Sequence, residues 1–402
     1  MRRALAAALA LLAVAFATFW DVSCTKEAAQ ASKKDASGTK EAGRRPENAP
    51  KATESDGTAW VIFRGDPAQT GVAKTTLPEK LELLWTHEAK SAVASTAAIA
   101  EGTVYVGTAS GVLALDLATG KPKWKYDTKE AVVASPCVDV GRVFVGDEAG
   151  TFHAIDLRTG AKLWTFETQD KIVSSANASG GEVLFGSYDG ALRCLEAAGG
   201  KEKWNFKTSM PVHASPCVFD GSVTIAGCDG VVRIIDLRSG QESAKIEVGS
   251  NVAATPAYFD GSLIVATLSE GLVRVDTAGP KVAWKHVSPE MGSLYASCAV
   301  GPWGVIFATR DGSVRCVRMR DAKETWRFDA KGRVDSSPVV VGKRVFFGSG
   351  DGNLFALGLD DGIEVWRFAA GSVITASPAA AQGRLVIGSE DGAIYCFGAK
   401  ER

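Results

Sequence analysis

A repeat of about 40 residues recurs along most of the chain, and this repeat limits the fold more than any other feature of the sequence. In its clearest copy, residues 134–164, four short apolar runs are separated by three turn-forming segments, and the copy ends on Trp164. The same tryptophan position recurs at Trp85, Trp124, Trp164, Trp204, Trp284, Trp326 and Trp366. Ala244 stands at the one position where the spacing expects a further tryptophan. This regular spacing indicates one repetitive domain, although a length of 402 residues alone would suggest two or three domains.

A small hydroxyl-bearing residue marks each unit at the same spacing. The markers are Ser95, Ser135, Ser175, Ser215, Thr255, Ser297, Ser337 and Ser377. A run of small residues surrounds each marker, as in 134–138, and we predict that this run forms the first strand of its unit. Because two independent markers keep the same step, the sequence predicts eight copies of the first strand.

Each unit continues with three more predicted strands. The second is rich in β-branched and aromatic residues, as in 104–106, and the third alternates along its length, as in 113–115. Asp-Gly pairs, which accept the positive φ of a tight hairpin turn, join many of these strands. They occur at Asp189-Gly190, Asp229-Gly230, Asp311-Gly312, Asp351-Gly352 and Asp391-Gly392. The fourth strand carries the tryptophan, so each unit is predicted to be a four-stranded antiparallel sheet.

The fold class predicted from these units is all-β, an eight-bladed β-propeller. The first strands consist of small residues, which suits a position next to the axis, where the blades converge. The tryptophans are predicted to dock neighbouring blades by filling the space between them. Only seven fourth strands follow the eight sets of strands one to three, and the chain ends just after the eighth third strand, 393–397. We therefore expect the N-terminal strand bearing Trp85 to close blade eight, which removes an open sheet edge. A seven-bladed ring is the alternative if one set does not pack.

Composition and charge exclude some classes of partner. Apolar residues make up 46% of the chain, which suits a globular protein with a large core. The formal net charge is −1, so no overall basic field attracts nucleic acid or acidic lipid. We expect a monomer that does not bind nucleic acid.

The segment that precedes the repeats, residues 1–58, is predicted to contain a targeting sequence and a linker. Residues 1–24 are interpreted as a signal peptide with a basic start and an apolar run that ends near Trp20. Cleavage after 15–17 would give a free protein, whereas the Val22-Ser23-Cys24 sequence resembles a lipoprotein site at which Cys24 is acylated, although Asp21 departs from that pattern. An uncleaved membrane anchor is a third alternative. Residues 25–58 lack large apolar side chains and are expected to form a disordered tether before the propeller at 59–402. These features predict an extracytoplasmic protein that is either periplasmic or anchored to a membrane by an N-terminal lipid, with no other membrane contact.

The cysteines and histidines give no sequence support for catalysis, a cofactor or a metal. Cys137, Cys217 and Cys298 share one repeat position, and Cys194, Cys316 and Cys396 share another, which is typical of small core side chains. Cys217 and Cys228 fall in one predicted hairpin and would be able to pair in an oxidising compartment. The four histidines, His87, His153, His213 and His286, show no metal-ligand spacing. No catalytic residue is predicted.

Departures from the repeat mark one candidate binding site. Two residues before each marker, at one mouth of the predicted channel, the units have Val93, Val133, Val173, His213, Ala253, Tyr295, Asp335 and Thr375. We select His213, Tyr295 and Asp335 as binding candidates, with Met291 from the only two-residue insertion. The second-turn loops should make the same face acidic, through Glu148, Asp189, Asp229, Glu270, Asp311, Asp351 and Asp391. Ordinary turn chemistry and drift between repeats are the alternative explanation.

The segment around each tryptophan resembles the docking motif of PQQ-type propeller repeats, Ala-x-Asp-x-x-Thr-Gly-x-x-x-Trp. Two copies fit fully: Ala114, Asp116, Thr119, Gly120 and Trp124, and Ala154, Asp156, Thr159, Gly160 and Trp164. The resemblance covers residues 60–398 and is to the eight-bladed quinoprotein-like superfamily. Resemblance to the small stand-alone members of this superfamily implies that this protein has a role in outer-membrane protein assembly. Resemblance to the dehydrogenases of the superfamily implies two features: a disulfide between adjacent cysteines, and carboxylate and amide ligands for Ca²⁺. This chain has no adjacent cysteines.

The function expected from these features is that of a non-enzymatic extracytoplasmic scaffold. A propeller with short loops behind a tether suits docking of protein partners at the cell envelope. The alternative is a propeller that binds a quinone or another ligand at the channel mouth, or a PQQ-dependent oxidoreductase-like protein.

Overall fold

The computed structural model describes residues 59–287 and 291–400. Within these ranges the chain forms strands, turns and bends, and no α-helix. None of the described residues therefore contributes a helix with the length and hydropathy needed to cross a membrane. The predicted signal peptide, the tether and Cys24 lie outside the described residues.

The described strands form eight sheets, and each contains a four-stranded antiparallel blade, which confirms the predicted fold class. Two strands precede the first complete blade: β1 (Val72–Ala73) and β2 (Glu82–Glu88). Blade 1 contains β3 (Ala98–Ala100), β4 (Thr103–Thr108), β5 (Gly111–Asp116) and β6 (Pro122–Asp127). Blade 2 contains β7 (Cys137–Asp139), β8 (Arg142–Gly146), β9 (Thr151–Asp156) and β10 (Lys162–Glu167). Blade 3 contains β11 (Asn177–Ser179), β12 (Glu182–Gly186), β13 (Ala191–Glu196) and β14 (Glu202–Lys207). Blade 4 contains β15 (Cys217–Phe219), β16 (Ser222–Ala226), β17 (Val231–Asp236) and β18 (Glu242–Glu247).

The second half of the ring repeats this order. Blade 5 contains β19 (Ala257–Phe259), β20 (Ser262–Ala266), β21 (Leu272–Asp276) and β22 (Lys281–His286). Blade 6 contains β23 (Ala299–Gly301), β24 (Gly304–Ala308), β25 (Ser313–Val317) and β26 (Glu324–Asp329). Blade 7 contains β27 (Val339–Val341), β28 (Arg344–Gly348), β29 (Asn353–Gly358) and β30 (Glu364–Ala369). Blade 8 contains β31 (Ala379–Ala381), β32 (Arg384–Gly388) and β33 (Ala393–Gly398), with β2 as its fourth strand.

Blade 8 combines a strand from the N-terminal part of the propeller with the last three strands of the described chain. Strand β2 pairs antiparallel with β33, and Trp85 lies opposite Cys396. The register shifts next to Trp85, as it does next to Trp164 in blade 2. The pairing gives β33 hydrogen-bonding partners on both sides, so it is not an exposed edge.

Hydroxyl groups link the first strands of all eight blades in a closed ring of hydrogen bonds. In each link the backbone N–H of one blade's marker residue donates to the marker hydroxyl of the next blade. The donors, in order, are the amides of Thr96, Ser135, Ser175, Ser215, Thr255, Ser297, Ser337 and Ser377, and Ser377 donates back to Thr96. We call these eight residues the hydroxyl ring.

Blade 1 corrects the marker predicted from the sequence. The ring residue of this blade is Thr96, whereas Ser95 accepts the N–H of Gly107 and donates to its carbonyl within the blade. The two adjacent hydroxyl residues made the sequence ambiguous by one position. The first strand of blade 1 is therefore shifted by one residue relative to the prediction.

An unpredicted element, the inner belt (residues 60–75), runs along the inner edges of all eight blades in order. Its hydrogen bonds join Trp60 to Ile99, Val61 to Val138, Pro67 to Asn177 and Val218, Ala68 to Tyr258, Thr70 to Val300, Gly71 to Val340 and Thr75 to Gly383. In the sequence, residues 60–66 form a short apolar run followed by a turn, and this pattern predicts no such belt. Because the inner edges of first strands carry unpaired backbone groups, the belt satisfies groups that no other strand reaches.

The tryptophans of the outer strands contact the following blade. The indole N–H of Trp124 donates to Leu157 O at 3.1 Å, and that of Trp326 donates to Leu359 O at 2.9 Å. The same bond recurs at Trp85, Trp164, Trp204 and Trp284. Trp366 packs edge-on against Phe397, with ring centroids 5.3 Å apart.

The joint between blades 4 and 5 is built differently. Ala244 replaces the tryptophan of blade 4, and Pro280 replaces the glycine on which it would stack, as Trp204 stacks on Gly240. Phe219 and Tyr258 instead stack across this joint with ring centroids 4.2 Å apart. The aromatic contact has therefore moved from the outer to the inner part of the blades.

Candidate functional site

The candidate site is the mouth of the channel, two residues before the hydroxyl ring on each blade. With the corrected register, blade 1 contributes the exposed Ala94 in place of the predicted Val93, which is 0% exposed. The other seven positions are the predicted ones, and all are partly exposed: Val133, Val173, His213, Ala253, Tyr295, Asp335 and Thr375. The first-strand segments bring these eight side chains to one end of the channel.

Tyr295 and Asp335 belong to one charged cluster on blades 6 and 7. The guanidinium of Arg310 lies 3.5 Å from the centre of the Tyr295 ring, which is a cation–π contact. Its Nε donates to Asp335 Oδ1 at 2.8 Å, and Arg333 Nε lies 3.4 Å from the other carboxylate oxygen. The structure thus brings two predicted residues together through two arginines that the sequence analysis did not select. We call these four residues the mouth cluster.

His213 lies in a separate contact group on blades 3 and 4. The hydroxyl of Tyr188 lies 2.8 Å from His213 Nδ1, and the Lys171 ammonium lies 4.5 Å from the centre of the Tyr188 ring. Burial, followed by the nearby Lys171 charge, lowers the pKa of His213 to about 4. Burial raises the pKa of Tyr188 to about 12. At neutral pH the Tyr188 hydroxyl is therefore protonated and forms a hydrogen bond with an uncharged imidazole.

Met291 is placed away from the mouth cluster. It packs with the apolar core between blades 5 and 6, and a Cβ added to Gly271 would lie 2.5 Å from its Cε. The inserted residues 288–290 lie outside the described residues. Of the four predicted mouth residues, Tyr295 and Asp335 thus lie in one cluster and His213 lies in another contact group. Met291 packs between blades 5 and 6.

The carboxylates of the second turns are mostly engaged within their own blades. Asp189 forms an ion pair with Arg193, and Asp229 forms one with Arg233, at 2.5 Å in both cases. Asp391 accepts hydrogen bonds from Ser389 and from the backbone N–H of Ala393. These contacts agree with the interpretation of the acidic residues as turn formers.

A buried Asp147–His153–Tyr126 group has acid–base side chains but lies inside the blades. His153 Nε2 is 3.0 Å from Asp147 Oδ2, and its Nδ1 is 3.1 Å from the Tyr126 hydroxyl of the preceding blade. Asp147 is 0% exposed and His153 is 6% exposed. The group holds blades 1 and 2 together and offers no face to a substrate. Sequence spacing could not reveal it, because Tyr126 belongs to another repeat.

The cysteines at the two shared repeat positions are buried and carry free thiols. Cys217 is one of them, so the considered Cys217–Cys228 disulfide is wrong. The Cys217 thiol instead lies 3.2 Å from the belt carbonyl of Ala68. Burial raises the pKa of the Cys298 and Cys396 thiols to about 12, so both are protonated and unreactive at neutral pH.

The described residues do not fit the cofactors of the quinoprotein dehydrogenases. No group of three or more His, Cys, Asp or Glu side chains among residues 59–287 and 291–400 could hold a metal ion. Asp335, the carboxylate at the mouth, is already paired with Arg310 and Arg333. The donor set at this mouth therefore differs from the carboxylate and amide set that a Ca²⁺–quinone site requires.

These features define an eight-bladed β-propeller of PQQ-type repeats, as the sequence resemblance predicted. A family model described as outer membrane protein assembly factor BamB matches residues 78–215 and 310–401. Because these two ranges cover more than half of the chain, the protein belongs to this family. A comparison with curated proteins finds no match.

Solved structures share the fold at low sequence identity. BamB from Moraxella catarrhalis is 21% identical with a TM-score of 0.69, over 80% of this chain and 99% of that chain. The quinohemoprotein alcohol dehydrogenase from Comamonas testosteroni is 14% identical with a TM-score of 0.76, over 86% of this chain and 81% of that chain. The computationally designed Ika8 protein is 18% identical with a TM-score of 0.71, over 80% and 100%. At these identities the similarity shows the fold alone.

Proposed function

We propose that this protein is a non-enzymatic, extracytoplasmic scaffold that binds a protein partner during outer-membrane protein assembly. The observation that carries the proposal is the family match, because that family is described as an outer membrane protein assembly factor. The proposed N-terminal lipid on Cys24 and the tether at 25–58 would hold a monomeric propeller close to a membrane surface. This arrangement suits a protein whose task is docking.

The mouth cluster is the proposed contact with the partner. The side chains of Arg310 and Arg333 are 26% and 38% exposed, so part of each guanidinium faces solvent although both bind Asp335. Arginine and tyrosine dominate the binding energy of many protein interfaces. The cation–π and ionic contacts also hold Arg310 in one position, which reduces the entropy lost on binding.

The experiment is genetic complementation in the native host. A strain lacking this gene receives the wild type, a Tyr295→Ala/Arg310→Ala variant or an Arg158→Ala control, and the outer-membrane β-barrel proteins are quantified by mass spectrometry. Arg158 is exposed and follows β9 in a third turn, on the face opposite the mouth. We expect wild type and control to restore β-barrel levels and the mouth variant to fail at equal abundance. Unchanged β-barrel levels in the deletion strain would rule the proposal out.

The alternative of a quinone-binding propeller has its own measurement. The purified protein is titrated with pyrroloquinoline quinone in the presence and absence of Ca²⁺ and followed by absorbance. The scaffold proposal expects no stoichiometric spectral change. Binding of one quinone per chain would favour the alternative.

A further inference from the structure

Arg64 is a buried cation at the centre of the fold. It belongs to the inner belt and is 0% exposed. Its Nη2 donates to the carbonyl of Cys298 at 2.9 Å and to that of Pro338 at 2.6 Å, on blades 6 and 7. In sequence, each of these carbonyls belongs to the residue that directly follows a hydroxyl-ring residue. The backbone of the belt bonds instead to the third residue after the ring residue, such as Val300 and Val340. The guanidinium therefore lies between the belt and the hydroxyl ring.

Two of the three guanidinium nitrogens lack a partner in the described part of the chain. Neither Nε nor Nη1 of Arg64 has a hydrogen-bond acceptor among these residues. Both amide atoms of Gln69, which is 1% exposed, are without partners in the same ranges. Gln69 lies on the belt between the contacts to blades 5 and 6, beside the sector that Arg64 reaches. A buried donor without an acceptor has lost its hydrogen bonds to water without replacement, and the loss is larger when the donor is charged.

The charge of Arg64 is also not neutralised by an ion pair with any described residue. The nearest acidic side chain on the belt, Asp66, accepts hydrogen bonds from the backbone N–H and the hydroxyl of Thr70. Desolvation raises the pKa of Asp66, which weakens it as a counter-charge, and desolvation lowers the pKa of Arg64 to about 10. Arg64 remains cationic at neutral pH. Buried cations are normally paired, and a water molecule would supply an acceptor but no negative charge.

We propose that the space between the inner belt and the hydroxyl ring binds one small anion, a carboxylate or a phosphate, that accepts hydrogen bonds from Arg64. The hydroxyl ring suits this ligand, because each serine or threonine that accepts a backbone N–H keeps a proton of its own to donate. The anion would enter from the mouth, which lies three residues or roughly 10 Å along the first strands. The inference concerns the channel alone and does not depend on a role in outer-membrane assembly.

Binding of an enclosed anion should stabilise the folded protein. Because the site exists only in the folded protein, a ligand at 100 times its Kd stabilises the fold by about 2.7 kcal/mol. The test measures thermal unfolding of the full chain in Tris chloride, and again with inorganic phosphate or acetate at equal pH and ionic strength. We expect the Tm of the wild type to rise with one of these anions in a saturable way, and the responding anion identifies the ligand class.

Variants at Arg64 separate binding from general salt effects. Arg64→Met should remove the anion response, and the matched surface variant Arg158→Met should keep it. Because Arg64→Met also removes the hydrogen bonds to the carbonyls of Cys298 and Pro338, the comparison uses the anion-induced change in Tm of each variant and not its Tm without anion. If Arg64→Met does not fold, Arg64→Lys keeps the charge with fewer donors and should need at least tenfold more anion for the same shift. A wild-type Tm that is independent of anion identity, or an equal response in the Arg64 variant, would overturn the proposal.

Discussion

The backbone N–H of Ser377 donates a hydrogen bond to Oγ1 of Thr96 at 3.3 Å, although 281 residues separate the two in sequence. This bond joins blade 8 to blade 1 and completes the hydroxyl ring. Blade 8 also contains β2 from the start of the propeller, and the inner belt contacts all eight blades. Three separate sets of contacts therefore connect the beginning of the propeller to its end: the hydroxyl ring, the pairing of β2 in blade 8 and the inner belt.

The first prediction concerns the closing bond of the hydroxyl ring. Thr96→Val keeps the shape of the side chain but removes the acceptor for the Ser377 amide. Because the amide stays buried without a partner, we expect the free energy of unfolding to fall by about 1–3 kcal/mol, measured by urea unfolding.

The matched control for this substitution is Thr86→Val on the exposed face of β2. It should change the free energy of unfolding by less than about 0.5 kcal/mol. Equal effects of the two substitutions would mean that the closing bond contributes nothing to stability.

The second prediction uses two adjacent glycines in blade 3. Gly200 has φ +71°, and an added Cβ would lie 2.6 Å from the Trp164 ring of blade 2. Gly199 lies outside the left-handed region, and no atom of the described residues is within 4 Å of its added Cβ. We expect Gly200→Ala to destabilise the fold by about 1–3 kcal/mol in thermal unfolding, because overpacking and backbone strain act together. Gly199→Ala should be neutral or stabilising by up to about 1 kcal/mol. The reverse order would contradict the docking geometry.

The third prediction tests tryptophan docking between blades 6 and 7. Trp326 is 7% exposed, donates to Leu359 O and stacks on Gly362. Trp326→Ala should lower the free energy of unfolding by about 3–5 kcal/mol, because it leaves a cavity at a joint that cannot collapse. A Tm shift near zero would show that the ring does not hold the blades together.

The fourth prediction concerns acid stability. The pKa of His213 is about 4 in the folded protein against an ordinary value of 6.5, so the unfolded chain binds more protons between these pH values. The contribution of His213 to stability is therefore complete above about pH 6.5 and is lost as the pH falls towards 4. His213→Asn should flatten the pH dependence in this window, measured by urea unfolding at pH 5 and pH 7. An NMR titration that gives His213 a pKa near 6.5 would contradict this account.

The period of the sequence was sufficient to predict the eight blades, because a hydroxyl residue recurs in all eight copies and tryptophan in seven of them for a packing reason. It also selected Tyr295 and Asp335, since each departs from the small residues of neighbouring copies. Arg310 was missed because it lies in a second turn, where the repeat is variable. The register of blade 1 was ambiguous because Ser95 and Thr96 are adjacent.

The inner belt could not be predicted from the repeat. Residues 60–75 occur once, and most of their contacts are to backbone atoms of first strands that lie far along the chain, from Ile99 in blade 1 to Val340 in blade 7. A hydrogen bond between backbone groups does not require a particular side chain in either partner, so the amino-acid sequence does not reveal it. The burial of Arg64 was hidden for the same reason, because a single arginine beside a glycine resembles an ordinary turn.

Hydrogen exchange of β2, measured by mass spectrometry on the intact protein, tests the closed ring most directly. Residues 82–88 pair only with β33, which is the last strand of the described chain. Protection of these amides therefore requires that the two ends of the propeller meet in one sheet. The closed ring predicts that the hydrogen-bonded amides of β2 exchange as slowly as those of β10, the outer strand of blade 2. Exchange at the rate of an unstructured segment, while blade 2 stays protected, would contradict it.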